Sequence, residues 1–173
     1  EALDASVARA PDAPLLDFLG RRYSYRETHD GANRVAGGLK AMGYGPGDRI
    51  GLFLPNVPHY VAAYYGILKL GATVVNFSPL YTVDELAHQV ADSGTRLLFT
   101  LSAAALLPTA VKVLHQSTLE RLIVGSVAGA LPTTKSIFYR MFRKREVAAR
   151  PADPRITTFS ALIANDGACV PPA

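Results

Sequence analysis

The stretch GILKLGATVVNFSPLYTVDELAHQVADSG, residues 66–94, reads as the end of a helix, a buried strand and a second, capped helix. The β-branched run ATVVNFS (72–78) has strand chemistry. Four residues later Thr82 and Glu85 stand three apart. That spacing lets the Thr hydroxyl accept from the first-turn backbone while the Glu carboxylate reaches back to the cap N–H. Such a box contributes about 0.5 to 2 kcal/mol. Leu86 and Val90 then fall on one helical face, as an inward stripe requires.

Working upstream, VPHYVAAYYGILKLG (57–71) predicts a helix with Val57, Val61, Tyr64 and Leu68 as its inner stripe. Before it, RIGLFLPN (49–56) is an apolar run between the turn GPGD and Pro55-Asn56, the pattern of a strand buried on both faces. Ala32, Val35, Leu39 and Met42 recur at helical spacing ahead of Gly43, which supplies a C-terminal stop. PLLDFLGRRYSYRE (14–27) reads as a short antiparallel hairpin turning near Gly20. Downstream, RLLFTL (96–101) and RLIVGS (121–126) are further strands. Between them, residues 103–116 read as a helix interrupted near Pro108.

Strands alternating with helices at this spacing predict an α/β fold: a mainly parallel, doubly wound sheet with flanking helices and right-handed crossovers, plus the N-terminal hairpin. The expected organisation is an α/β unit over 1–131, a basic amphipathic segment over 132–150 and a Pro- and Ala-rich tail over 151–173 that shows no period.

Composition narrows the function classes. With 49% hydrophobic and 18% charged residues, 173 residues suit one cored globular domain. The formal charge is +4 and uneven: residues 135–150 hold six Lys or Arg against Glu146, hence +5, and leave −1 for the remainder. Nothing in that balance suggests nucleic acid. The lone Cys169 has no disulfide mate and no metal-ligand spacing around it, which fits a reducing, cytoplasmic setting. No run reaches the roughly 18 apolar residues of a membrane span. The acidic start EALDAS does not fit a signal peptide, and Glu1 in place of Met suggests an excised piece.

Three glycine-bearing stretches invite a nucleotide reading, and context argues against each. GYGPG (43–47) and DSGTR (92–96) precede their strands, whereas a phosphate loop follows a strand and opens a helix. GSVAGAL (125–131) does follow a strand but carries no Lys. His29, His59, His88 and His115 have no paired ligand spacing, so packing is the expected role of each. Asp84 and Glu85 suit a helix N-terminus before they suit acid–base chemistry. In KSIFYRMFRKREVAAR (135–150), Ile137, Phe138, Met141 and Phe142 share a face ringed by Arg140, Arg143 and Lys144. An amphipathic helix packed on protein competes there with weak peripheral contact at the inner face of a membrane.

Taken together and in order, YSYRET (23–28), the Pro-Gly-Asp-Arg and Leu-Pro-Asn between, and LKLGATVVNFSP (68–79) resemble the opening third of the AMP-forming acyl-CoA synthetases and other adenylate-forming enzymes. PLYTVDELAHQVADSG, the basic insert and ITTFSALI are most similar to bacterial long-chain fatty-acid–CoA ligases, with Ser78 where that group usually carries Asn. The resemblance implies a partial large domain of that fold in an AMP-forming acid–thiol ligase. Its substrates would be a fatty acid, ATP with Mg2+, and coenzyme A. Fragments of an aryl or medium-chain acid ligase, or a stand-alone binding or dimerisation domain, are the alternatives.

The family's Ser/Thr/Gly-rich loop ending in Pro-Lys-Gly and its adenylation lysine have no match here. Catalytic, cofactor-binding and metal residues are therefore all assigned as none, and the chain alone is expected to be inactive and to hold no cofactor. If residues 15–43 pack on a later sheet in the parent, their apolar faces are left uncovered, and self-association is expected.

Overall fold

The computed structural model describes residues 2–126 and 148–168. Residues 135–147 of the basic segment, Cys169 and most of the glycine-bearing stretch 125–131 lie outside them.

Helix α1 (Ala2–Arg9) leads into an antiparallel hairpin, β1 (Pro14–Phe18) and β2 (Arg21–Ser24), in the register Leu16↔Tyr23 and Phe18↔Arg21. Its two turn residues, Leu19 and Gly20, both have positive φ (54° and 88°), the handedness that matches the twist of the flanking strands. Ser24 then caps α2 (Tyr25–Ala41) in a reciprocal box with Glu27. The expected stripe on α2 is real: Ala32, Val35 and Leu39 are fully buried, while Met42 is half-buried. Gly43 takes φ 88° just past the helix end, a conformation that a side chain resists.

The second sheet has five parallel strands: β3 (Arg49–Leu52), β4 (Thr73–Asn76), β5 (Leu97–Leu101), β6 (Arg121–Gly125) and β7 (Ile156–Thr158). Their spatial order is β4-β3-β5-β6-β7. The chain thus enters at β3, steps outward to β4, returns past β3 to β5 and proceeds one way thereafter. All five residues of β5 are buried, as expected of a strand covered on both faces. Helices α3 (Pro58–Lys69), α4 (Val83–Ser93) and α5 (Leu107–Gln116) make the connections. The Thr82–Glu85 box closes as its spacing predicts, and Gly94 ends α4 in the left-handed region. DSGTR is therefore a helix stop followed by a buried Thr95.

Two expectations need correction. In α3 the buried residues are Ala63, Gly66 and Ile67; of the expected stripe, Val61 and Tyr64 are half-buried and Leu68 is exposed. The helix is apolar around most of its circumference, so hydrophobicity alone does not choose its inner face. Close approach chooses it: a Cβ on Gly66 would lie 2.7 Å from the Val35 side chain and 2.8 Å from the Ala32 carbonyl of α2. Helix α5, likewise, is not interrupted at Pro108. It begins at Leu107, with Pro108 in the first turn, where a missing N–H costs nothing.

The tail also contributes to the sheet. Ile156–Thr158 pairs in parallel with β6, and Thr158 caps the short α6 (Phe159–Leu162) by accepting from the Ala161 N–H at 3.1 Å. Helix α6 abuts α2 so closely that a Cβ on Gly38 would come within 2.2 Å of the Leu162 carbonyl. Asn165 locks the contact by donating to the carbonyls of Arg34 and Leu162, both at 2.9 Å. The apolar face of α2 is thus covered by α3 and α6 within this chain. Among the described residues no helix is long and apolar enough to cross a membrane.

Substituting Gly66→Ala drives a methyl into backbone and a β-branched side chain, and overpacking of this kind costs about 1 to 3 kcal/mol. Chemical denaturation should show the midpoint falling with the slope unchanged. An unaltered midpoint contradicts the packing of α2 on α3.

Candidate ligand crevice

In an open parallel sheet, the loops leaving adjacent strands diverge where the strand order reverses. The crevice between them, outside the carboxyl ends, is where ligands fit. Here the reversal falls between β3 and β5. A cavity of about 290 Å³ lies at the same carboxyl edge, against the segments that follow β3, β6 and β7 rather than β5, and is walled by residues from four segments. Pro58 and His59 open α3, which follows β3; Ser126 follows β6; Phe159 and Ser160 follow β7. The opposite wall is the hairpin and the start of α2, through Arg21, Tyr23 and Thr28.

The side chains are held in place from below. The His59 ring meets Phe159 edge-on, with centroids 4.7 Å apart. Gly125 makes room for it, since a Cβ there would lie 3.1 Å from the imidazole. Nδ1 of His59 is buried and, among the described residues, has no hydrogen-bond partner. Burial disfavours the imidazolium and pushes the His59 pKa down to about 4, so the ring is neutral at pH 7. On the hairpin, the Arg21 guanidinium stacks over Tyr23, 4.3 Å from the ring centroid. Desolvation pushes the Tyr23 phenol above its usual range, so it stays protonated. Thr28 donates to the Ser24 carbonyl at 2.9 Å, and Glu27 is occupied by the α2 cap.

The other polar groups are structural. Asp84 and Glu85 sit in the first turn of α4, and hydrogen bonds from the Thr82 backbone and hydroxyl hold Glu85 below the usual carboxylate range. His29 joins Asp4 at 2.9 Å in a cluster with Lys69, whose ammonium holds the Asp4 carboxyl far below its ordinary value. His115 lies beside Arg155 and Asp153 at the opposite end of the sheet. Among the described residues no group of three His, Cys, Asp or Glu could hold a metal. Of the four histidines, only His59 lines the crevice.

Sequence reasoning missed this assembly because its members are scattered from Leu16 to Ile163. The readable signal was positional: residues directly following buried parallel strands, here His59 and Ser126, come to lie at the carboxyl edge.

The AMP-binding enzyme family model matches residues 3–160, nearly the whole chain. The chain belongs to that family. It is 35% identical over 145 residues to a long-chain-fatty-acid–CoA ligase of Bacillus subtilis strain 168, an alignment covering 84% of this chain and 26% of the relative. It is also 34% identical over 136 residues to the enzyme of the same name from Escherichia coli O6:H1, covering 78% of this chain and 24% of that one. Among solved structures, an anthranilate CoA ligase in complex with anthranoyl-AMP superposes with a TM-score of 0.77 at 20% identity, covering 99% of this chain and 28% of the other. That last likeness establishes the fold alone. The chain spans about a quarter of the length of the curated relatives it matches.

His59 gives this site a pH signature. Its folded pKa of about 4 lies below the unfolded value of 6.5, so between these pH values the unfolded chain binds the extra proton. The contribution is complete above pH 6.5, falls as the pH drops through this window and is gone below 4. Its full size is about 3 kcal/mol, at roughly 1.36 kcal/mol per pKa unit. Denaturation of the native protein and of His59→Gln from pH 4 to 7 should show a slope in the first that is reduced in the second; equal slopes contradict the burial of a neutral imidazole.

Proposed function

We propose that the protein is an AMP-forming long-chain fatty-acid–CoA ligase and that this chain supplies the N-terminal wall of its large domain. In the proposed reaction a fatty carboxylate oxygen attacks the α-phosphorus of Mg2+-bound ATP and releases pyrophosphate. The coenzyme A thiol then takes the acyl group and releases AMP. Phosphoryl chemistry of this kind depends on positioning and charge stabilisation more than on a protein nucleophile.

The observation that carries the reading is the 35% identity to a long-chain ligase over most of the chain, joined to a cavity on the ligand-binding edge of the sheet. It favours a long-chain acid over an aryl or medium-chain one, and an enzyme over a stand-alone binding domain. The setting proposed is cytoplasmic. Two further proposals stand: self-association of this chain through residues 15–43, which with the apolar face of α2 covered would have to use the hairpin, where Leu19 is exposed, and is tested by light scattering; and weak attachment of residues 135–150 to anionic membranes, tested by vesicle sedimentation at low and high salt.

Assayed at the length its gene encodes, the protein should form AMP only when acid, ATP and coenzyme A are all present, with kcat/KM for palmitate at least tenfold above that for benzoate. The 173-residue chain alone should show no turnover. A preference for benzoate, or no acid-dependent AMP, contradicts the proposal.

A further inference from the structure

We propose that the free edge of β4 pairs with a second copy of the protein, the two β4 strands running antiparallel about a two-fold axis beside Val75. The inference goes beyond the ligase reading and does not depend on it.

Strand β4 ends the five-stranded sheet, and among the described residues β3 is its only strand neighbour. Thr73 and Phe77 donate their N–H groups to the Asp48 and Leu52 carbonyls of the β3 side, at 2.8 and 3.0 Å. Because the direction of these groups alternates along a strand, Val74 and Asn76 present theirs to the open side. Natural edges are guarded by charged side chains, especially Lys, or by Pro within the strand. This one has neither: no charged residue falls between Lys69 and Asp84, and Pro79 lies past the strand end.

The flanks of the edge are apolar. Tyr60, Tyr64 and Leu68 recur four apart on α3, and the Tyr60 hydroxyl donates to Asn76 Oδ1 at 3.0 Å, which sets that stripe beside β4. The Tyr60 and Tyr64 rings stack with centroids 6.1 Å apart. Leu68 is 44% exposed and Leu80, beyond the other end of the strand, 88% exposed. They are two of the three large hydrophobic residues that stand exposed among those described. Unpaired backbone beside exposed aromatic and aliphatic side chains is the chemistry of strand addition.

A second copy suits this edge because the edge is complementary to itself. Val74 and Asn76 stand symmetrically about Val75, so one two-fold axis sets Val74 against Asn76 of the second copy, and Asn76 against its Val74. The outward N–H and carbonyl groups of both residues are then satisfied together. Val75 meets its own counterpart at the closely spaced, non-hydrogen-bonded position, with no charge to repel it. The antiparallel sense carries Leu80 of each copy toward the Leu68 end of the other. An unrelated peptide strand would satisfy the backbone but bring no matching leucines.

The test uses the protein at the length its gene encodes. By sedimentation the native protein should have twice its chain mass. Val75→Lys and Val75→Glu should each sediment as monomers, since like charges then oppose at the axis, and mixing the two in equal amounts should restore dimers. That rescue is not given by misfolding. Val75→Cys with Cys169 replaced by Ser should form, under mild oxidation, a covalent dimer in which mass spectrometry finds position 75 of one copy joined to position 75 of the other. A monomeric native protein, a Val75→Lys variant that dimerises as the native does, folded charge variants that stay apart on mixing, or no cross-link at position 75 overturns the inference. The ligase reading fails separately, by the absence of acyl-CoA formation, because none of these measurements involves turnover.

Discussion

The contact between α2 and α3 is the constraint from which the rest follows. Gly66 lets the helices meet at the distance of a side chain against backbone, and Gly31 brings a second bare position opposite Ala62, where an added Cβ would lie 3.6 Å from the Ala62 Cβ. Because α2 also carries the hairpin and receives α6 in the notch at Gly38, this one helix joins the N-terminal unit to both the beginning and the end of the sheet. A larger residue at Gly66 or Gly38 would push α2 away from its neighbours, whereas Gly31 has room for a Cβ in ordinary contact with Ala62.

Charge is distributed to suit that arrangement. At the amino ends of the strands, Arg96 ties Glu120 on one side and Asp48 on the other while lying over the Tyr44 ring. Asp4 and Lys69 hold α1 against the end of α3. The crevice, by contrast, has a neutral imidazole and serine hydroxyls at the carboxyl edge, faced by the stacked Arg21 guanidinium of the hairpin and by Glu27, which is tied into the α2 cap.

Much of the framework was legible in the sequence because local rules govern it. The Thr82–Glu85 box, the stop at Gly43, the hairpin turn at Gly20 and the strands at 49–52, 97–101 and 121–125 each follow from a few neighbouring residues. The inner face of α3 was not legible, since Val61, Tyr64 and Leu68 are as hydrophobic as Ala63 and Ile67 and only the proximity of α2 separates them. Strand β7 was equally opaque: three residues, Ile156–Thr158, are too few to show a period, and their pairing with β6 is a tertiary fact. The family could be read from motif order, whereas the crevice depends on the hairpin meeting the sheet edge, which no local pattern encodes.

The most direct measurement is oxidation of a Gly31→Cys, Ala62→Cys variant in which Cys169 is replaced by Ser. A disulfide needs Cβ atoms about 3.5 to 4.5 Å apart, and the close approach of α2 to α3 meets that requirement. The account predicts an intramolecular cross-link in the folded protein under mild oxidation, with a higher denaturation midpoint than the reduced form. A folded variant whose two thiols stay free under the same conditions would contradict it.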